Sequence, residues 1–297
     1  MPIHLTSRRH FIAQMGIATA LVSQEAGAAE VDEDLIAILN DTHVGGKHPA
    51  NASIPTHLRE TVAYLVGLPK RPAAVIINGD LALNNGQPDD YTHFAKLILP
   101  LREAGIPVHL TMGNHDDREV FYEVLKGEKP ASTAVAAKHV GVVQTARANL
   151  FLLDSLKARM VAQGLLGQEQ RDWLEKVLDA HADKPALIFA HHNPRLGGEE
   201  KHFPGGLEDS EALWEVLAAR PQVKAYIHGH IHHRNYFEHR GIHILNTPAT
   251  SFVANPKEST TGWTMARLSA TGGSFTTHTH LAEHEWNGVK VDLQWRA

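Results

Sequence analysis

The chain has 297 residues, 43% of them hydrophobic and 21% charged, which is the composition of a soluble globular protein able to bury a full core. Its 28 lysines and arginines against 33 aspartates and glutamates leave a net charge of -5, which gives no sign of a nucleic-acid-binding surface. There is no cysteine and there are 22 histidines, so thiolate metal sites, disulfides and cysteine nucleophiles are excluded while imidazole at metal-ligand spacing calls for a search.

Near the start, Thr6-Ser7-Arg8-Arg9-His10-Phe11-Ile12 is a paired arginine followed by a mild apolar run from Ile12 to Val22 and the small residues Ala26-Gly27-Ala28-Ala29. This resembles a twin-arginine export signal, with the twin-arginine export machinery as its partner and the periplasm or the exterior as the destination. The run is too short and too rich in Ala, Thr and Gln to match the roughly twenty apolar residues of a membrane span. Residues 1–29 are therefore set apart as a signal peptide, and residues 30–297 are read as a single domain. Its motif-bearing core covers about 34–249 and a β-rich tail about 250–297.

From there, strand and helix patterns alternate. Leu35–Leu39 is a continuous apolar run suited to a strand buried on both faces, and it ends in Asn40-Asp41-Thr42-His43. A helical pattern covers His57–Gly67. Pro72–Asn78 is a second buried strand, ended by Gly79-Asp80, and Asp89 and Asp90 read as caps of a helix running to about Glu103. Pro107–Met112 is a third, leading into Gly113-Asn114-His115-Asp116 and then a helical pattern after Asp117 and Arg118. Residues 121–148 show little pattern. Asn149–Leu153 reads as a strand, and Gln168–Ala180 as a helix with Trp173, Leu174, Val177 and Leu178 facing inward. Ala186–Ala190 opens into His191-His192-Asn193-Pro194. After a helix over Ser210–Arg220, Val223–Ile227 leads to His228-Gly229-His230-Ile231-His232-His233. Ile242–Asn246, Gly262–Leu268, Ser274–Leu281 and Val289–Trp295 are short runs expected to complete a second sheet. His278 and His280 alternate on one of them and read as solvent-facing. His284-Glu285 begins like a zinc-protease helix, but lacks the second histidine.

The polar residues at the strand ends form a set: Asp41, His43, Asp80, Asn114, His115, His191, His230 and His232. Period-two geometry places Asp41 and His43 on one face, and the carboxyl edge of adjoining strands is where α/β proteins carry their sites. Carboxylate, carboxamide and imidazole without thiolate suit divalent or trivalent iron, zinc, manganese or cobalt. These donors are too many for one ion and suit two, bridged by one carboxylate.

In this order the blocks Asp41-Thr42-His43, Gly79-Asp80, Gly113 to Asp116, His191 and Gly229-His230-Ile231-His232 resemble the calcineurin-like metallophosphoesterase family over about Asp34–Ala249. The resemblance implies an α/β fold, a four-layer αββα sandwich of two mixed β-sheets flanked by helices. It implies that Asp41, His43 and His232 bind a first ion, that Asn114, His191 and His230 bind a second, and that Asp80 bridges them. In that family, paired ions yield hydroxide near neutral pH and clamp the phosphoryl oxygens for in-line attack. His115 is then the group that stabilises the transition state or protonates the leaving alkoxide. Asp116 either orients His115 or serves the loop. His191 is preferred over His192 as the ligand by analogy with relatives in which an apolar strand runs into His-His-x-Pro. Purple acid phosphatases carry a tyrosine ligand three residues after the bridging aspartate; Leu83 stands there, which removes that reading. The pattern looks more like the glycerophosphodiesterase and cyclic-nucleotide phosphodiesterase branch, implying a small phosphodiester substrate. A phosphomonoesterase using the same site is the alternative. A non-catalytic metal-binding protein is a third reading, against which an intact His115 argues.

Overall fold

The computed structural model describes residues 30–196 and 205–297, so the export signal read over residues 1–29 lies outside the described residues. In chain order the elements are β1 (Val31–Asn40), α1 (Ser53–Val66), β2 (Arg71–Asn78), α2 (Pro88–Glu103), β3 (Val108–Thr111), α3 (Arg118–Val124), β4 (Gly141–Gln144), β5 (Asn149–Leu152), α4 (Gln168–Ala180), β6 (Ala186–Phe189), α5 (Ser210–Ala218), β7 (Val223–His228), β8 (Asn235–His239), β9 (Ile242–Asn246), β10 (Gly262–Leu268), β11 (Gly272–Thr279) and β12 (Lys290–Gln294). They form two six-stranded sheets, ordered β12-β11-β10-β1-β2-β3 and β4-β5-β6-β7-β9-β8.

Both sheets are mixed. β1, β2 and β3 run parallel, as do β5, β6, β7 and β9, while β10 to β12 and the edge strands β4 and β8 pair antiparallel. The apolar runs of β1 and β2 are continuous because each face meets a different layer. Ala37, Leu39, Val75 and Ile77 pack against Leu58 and Leu65 of α1 and Phe94 of α2. The alternate residues Ile36, Ile38, Ala74 and Ile76 meet Leu150, Leu187, Phe189 and Ile227 of the facing sheet. On the far side, Ile188 and Tyr226 lie under Leu174 and Leu178 of α4 and Trp214 of α5. The three cores define the αββα sandwich that the resemblance implied.

Helix starts follow their capping chemistry. Gln87 caps α2 in a reciprocal box with Asp90, and Pro88 occupies the first turn, where its missing N–H costs nothing. Asp117 caps α3 by accepting hydrogen bonds from the Glu119 and Val120 amides.

The tail is arranged differently from the expectation that it completes a second sheet. Of the four runs expected there, Ile242–Asn246 joins the second sheet as β9, whereas β10, β11 and β12 extend the first, β10 pairing antiparallel with β1. Apolar runs announce strands but not their partners, because register and neighbour are set by long-range packing. β8 gave no sequence signal, since its residues face solvent along nearly its whole length at a sheet edge.

His278 and His280 are also not the solvent-facing pair expected. The His278 ring stacks on Trp263 with centroids 5.3 Å apart, and His280 stacks on His57 at 4.3 Å while bonding to Thr261 and Thr61. Burial, with a contribution from the neighbouring His57, pushes the His280 imidazole down to about 4. The unfolded chain takes up that proton near pH 6.5 and the folded protein does not. Stability is therefore full above pH 6.5 and declines as pH falls toward 4, because protons favour the unfolded state there. A shift of this size corresponds to at most about 3 kcal/mol, and partial exposure reduces it. His280→Gln is expected to flatten the dependence of the melting temperature on pH across that window. A profile parallel to wild type would rule the effect out.

Candidate metal centre

The carboxyl ends of β1, β2, β3, β6, β7 and β9 meet at one edge because buried asparagines tie the sheets together there. Asn40 Nδ2 at the end of β1 donates to Thr247 O at 3.1 Å, and Asn78 Nδ2 at the end of β2 donates to Ala190 O at 3.1 Å. Thr111 Oγ1 donates to Asn78 Oδ1 at 2.8 Å, adding the end of β3. The sequence does not mark Asn40 and Asn78 as ties, because a side-chain amide just ahead of an aspartate block carries no sign of a partner more than a hundred residues away.

Immediately beyond those ties the backbone is strained. Among the described residues, eight non-glycine positions have positive φ, and five of them are Asp41, His43, Asp80, His230 and His232. Left-handed backbone costs a non-glycine residue of the order of 1–3 kcal/mol, and such residues persist only where their surroundings over-determine them. Two glycines permit the convergence. A Cβ on Gly113 would lie 2.1 Å from Asp80 Oδ1, and one on Gly229 would lie 2.4 Å from Asp41 Oδ2. Alanine at either place would displace a carboxylate.

The converging side chains face one another closely. His43 Nε2 lies 3.4 Å from Asp80 Oδ2 and 3.1 Å from His232 Nε2, and His232 Nε2 lies 3.5 Å from Asp41 Oδ1. On the other side His191 Nε2 lies 3.3 Å from Asp80 Oδ2. Asp80 thus touches both groups. In each of these imidazoles Nδ1 donates to a backbone carbonyl: His43 to Leu83 O at 3.0 Å, His232 to Phe252 O at 2.7 Å, and His191 to Asn78 O at 3.1 Å. A carbonyl only accepts, so Nδ1 carries a proton in each ring and Nε2 is the nitrogen left facing the carboxylates, the one a metal ion would take in place of any proton there. His43 Nε2 and His232 Nε2 lie 3.1 Å apart, a distance that needs either a proton on one of them or a metal ion between them.

The field of the cluster favours positive charge. Burial opposes ionisation of Asp80, yet His191, His43 and His115 together hold its carboxyl well below the usual range. Burial likewise opposes charge on His191, but the Asp80 and Asp41 carboxylates prevail and push that imidazole up to about 9. For His43 and His230 burial prevails, pushing them down to about 4 and about 3, so both offer a neutral lone pair at physiological pH. Asn114 Oδ1 is buried with no hydrogen-bond partner, an orphaned acceptor that calls for a cation or a donor.

All of the predicted ligand residues lie along this edge. Ligand atoms of Asp41, His43 and His232 fall within 4.8 Å of one another, as do those of Asp41, Asp80 and His191, and of His191, His192 and His230. His191 and His192 both border the centre, but His191 meets the shared carboxylate. His192 is anchored behind it, its Nδ1 2.8 Å from Ser155 Oγ and its ring 4.5 Å from that of His230. The half-buried His115 follows Asn114, and its backbone N–H donates to Asp80 Oδ1 at 2.9 Å. Of the two roles left open for Asp116, the hydrogen bonds display the loop role. Its carboxylate accepts from the Gly113, Leu81 and Ala82 amides and from Tyr91 Oη. The His115 ring is oriented instead by Asn84 O, 2.6 Å from Nδ1. Burial and the Asp80 charge push Asp116 up to about 7, against the pull of those amides.

Nitrogen and oxygen donors in two groups sharing one aspartate, at the edge of an αββα sandwich, define a metal-dependent hydrolase with a binuclear centre. The chain belongs to the calcineurin-like phosphoesterase family, whose profile matches residues 35–234. It is 30% identical over 219 residues to the glycerophosphodiester phosphodiesterase GpdQ of Enterobacter lignolyticus, covering 73% of this chain and 77% of that protein. It is 31% identical over 205 residues to the 3',5'-cyclic adenosine monophosphate phosphodiesterase CpdA of Vibrio vulnificus, covering 67% and 71%. Among solved structures, a dimetal phosphatase from Danio rerio superposes with a TM-score of 0.65 at 14% identity over 88% of this chain and 98% of that one, a likeness of fold.

Proposed function

We propose that this protein hydrolyses phosphodiesters of a small substrate. The observation that carries the reading is the juxtaposition of a complete donor set around Asp80 with His115, whose ring is held by Asn84 O beside that set. The names of the GpdQ and CpdA relatives support diesters over monoesters.

In this reading Asp41, His43 and His232 hold one ion, Asn114, His191 and His230 hold the second, and Asp80 serves both. Bound there, the ions supply Lewis acidity toward phosphoryl oxygens and a water of lowered pKa. The remaining chemistry belongs to the chain. Asp80 Oδ1 and Asn84 O hold His115 in place through its amide and Nδ1–H, which leaves Nε2 free, and in the imidazolium form of the ring Nε2–H gives its proton to the departing alkoxide and leaves the neutral Nδ1–H tautomer behind. Asp116 keeps the Gly113 turn and the Leu81–Ala82 segment in register, so that Asn114 and Asp80 approach from adjacent loops. The sulfur-free donors suit iron, manganese, zinc or cobalt.

Protein loaded with each of these metals is expected to cleave bis-p-nitrophenyl phosphate with a higher kcat/KM than p-nitrophenyl phosphate. Preference for the monoester would assign a phosphatase instead. Absence of turnover with every metal would remove the enzymatic reading. The Arg8-Arg9 segment supports export by the twin-arginine route, and fractionation of the native host is expected to place the protein outside the cytoplasm.

A further inference from the structure

The connection between β9 and β10 crosses the mouth of the metal centre, and its backbone is pinned at successive points. Thr250 N donates to Asn40 O at 2.8 Å and Ser251 N to Asp41 O at 3.2 Å. His57 Nδ1 donates to Ser251 O at 2.9 Å, and His232 Nδ1 to Phe252 O at 2.7 Å. The Phe252 ring lies 4.5 Å from the His232 ring and 5.0 Å from the His43 ring, centroid to centroid, tilted from both. It is nevertheless 42% exposed. A large apolar ring, carried on a backbone hydrogen-bonded at three consecutive residues and set against two residues of the donor cluster, offers a flat surface beside the ion-binding groups.

We propose that Phe252 is a specificity-determining residue: the organic substituent on the substrate's phosphorus lies against its ring, and planar aromatic substituents are favoured. The chemistry is that of stacking on an aromatic platform, which tolerates different planar groups because it reads their faces rather than their hydrogen bonds. The assignment rests on the phosphoester-binding role of the centre, but not on preference for diesters. The competing role for Phe252 is to shield and brace His43 and His232, which would affect metal binding and would not discriminate between substituents.

Phenylphosphonate and methylphosphonate share the anionic head and differ in the planar group, and neither is hydrolysed. With manganese-loaded full-length protein, calorimetry is expected to show phenylphosphonate binding tighter by roughly 5- to 100-fold, the range of one stacking contact. Phe252→Ala is expected to bring that ratio toward one with metal content at the wild-type level, and Phe252→Trp to preserve it. Equal affinities in wild type, no binding of either phosphonate, or equal weakening of both by Phe252→Ala together with metal loss would each overturn the assignment. Because the readout is binding, it stands apart from the diesterase assay: failure to cleave bis-p-nitrophenyl phosphate would remove the diester preference and leave the phosphonate ratio to be judged by itself.

Discussion

Asp80→Ala is expected to leave the protein unable to hold its pair of metal ions and to reduce turnover by at least about 100-fold, since disturbing even an outer partner of a metal ligand costs about 10- to 100-fold. Asp80 is the side chain on which both halves of the centre converge, 3.4 Å from His43 Nε2 and 3.3 Å from His191 Nε2. Its removal also takes away the main charge that favours a proton on His191 and the acceptor of the His115 amide. Metal analysis after gel filtration, with melting curves in added manganese or zinc, measures the effect. Wild type is expected to gain stability from the metal, about 2.7 kcal/mol at a hundredfold excess over Kd, and Asp80→Ala to gain little. Asp80→Asn keeps the shape and an acceptor for His115 N–H, and so separates loss of charge from collapse of the loop. A variant that retains both ions would show that Asp80 is not shared.

His115→Ala is expected to behave in the opposite way, keeping its metal and losing roughly 100- to 10,000-fold in kcat, about 3–5 kcal/mol in the barrier. The contact between residue 115 and Asp80 is made by the backbone N–H, which alanine keeps. The imidazole is close enough to His43 and Asp80 to be a candidate ligand itself, so the metal content of this variant decides between the two roles. If the ring protonates the leaving group, the loss must also depend on that group. It should be larger for an alkyl ester, whose alkoxide needs a proton, than for a p-nitrophenyl ester, whose phenolate departs without one. A uniform loss would assign His115 to stabilising charge in the transition state instead.

From the glycines and asparagines of this edge the centre is expected to tolerate little change. Gly113 and Gly229 give room for Asp80 and Asp41, while Asn40 and Asn78 tie together the sheets that carry the two halves. With five donor-bearing residues in left-handed backbone, the geometry depends on packing around it rather than on local preference. The core between the sheets holds the ends of β1, β2, β6, β7 and β9 in fixed relation, and the bond from Thr111 to Asn78 adds that of β3.

Much of this was present in the amino-acid order. The apolar runs around Ile36, Ile76, Ile188 and Ile227 announce buried parallel strands, and the residues directly after each run are those the edge brings together. Contiguity is the reason: a strand end delivers its next few side chains to the edge wherever the strand lies in the sheet. Tertiary structure decided what contiguity cannot carry. The acceptors that set each imidazole's tautomer are backbone carbonyls of Leu83, Asn84, Asn78 and Phe252, and a carbonyl leaves no mark in a sequence. Asp116 stands next to His115 in the chain, yet its carboxyl group faces the amides of Leu81 and Ala82, because a buried polar group goes where its donors lie. Phe252 and the first-sheet position of β10 to β12 depend on residues some two hundred places apart meeting in space, and only the packing of the folded chain determines that.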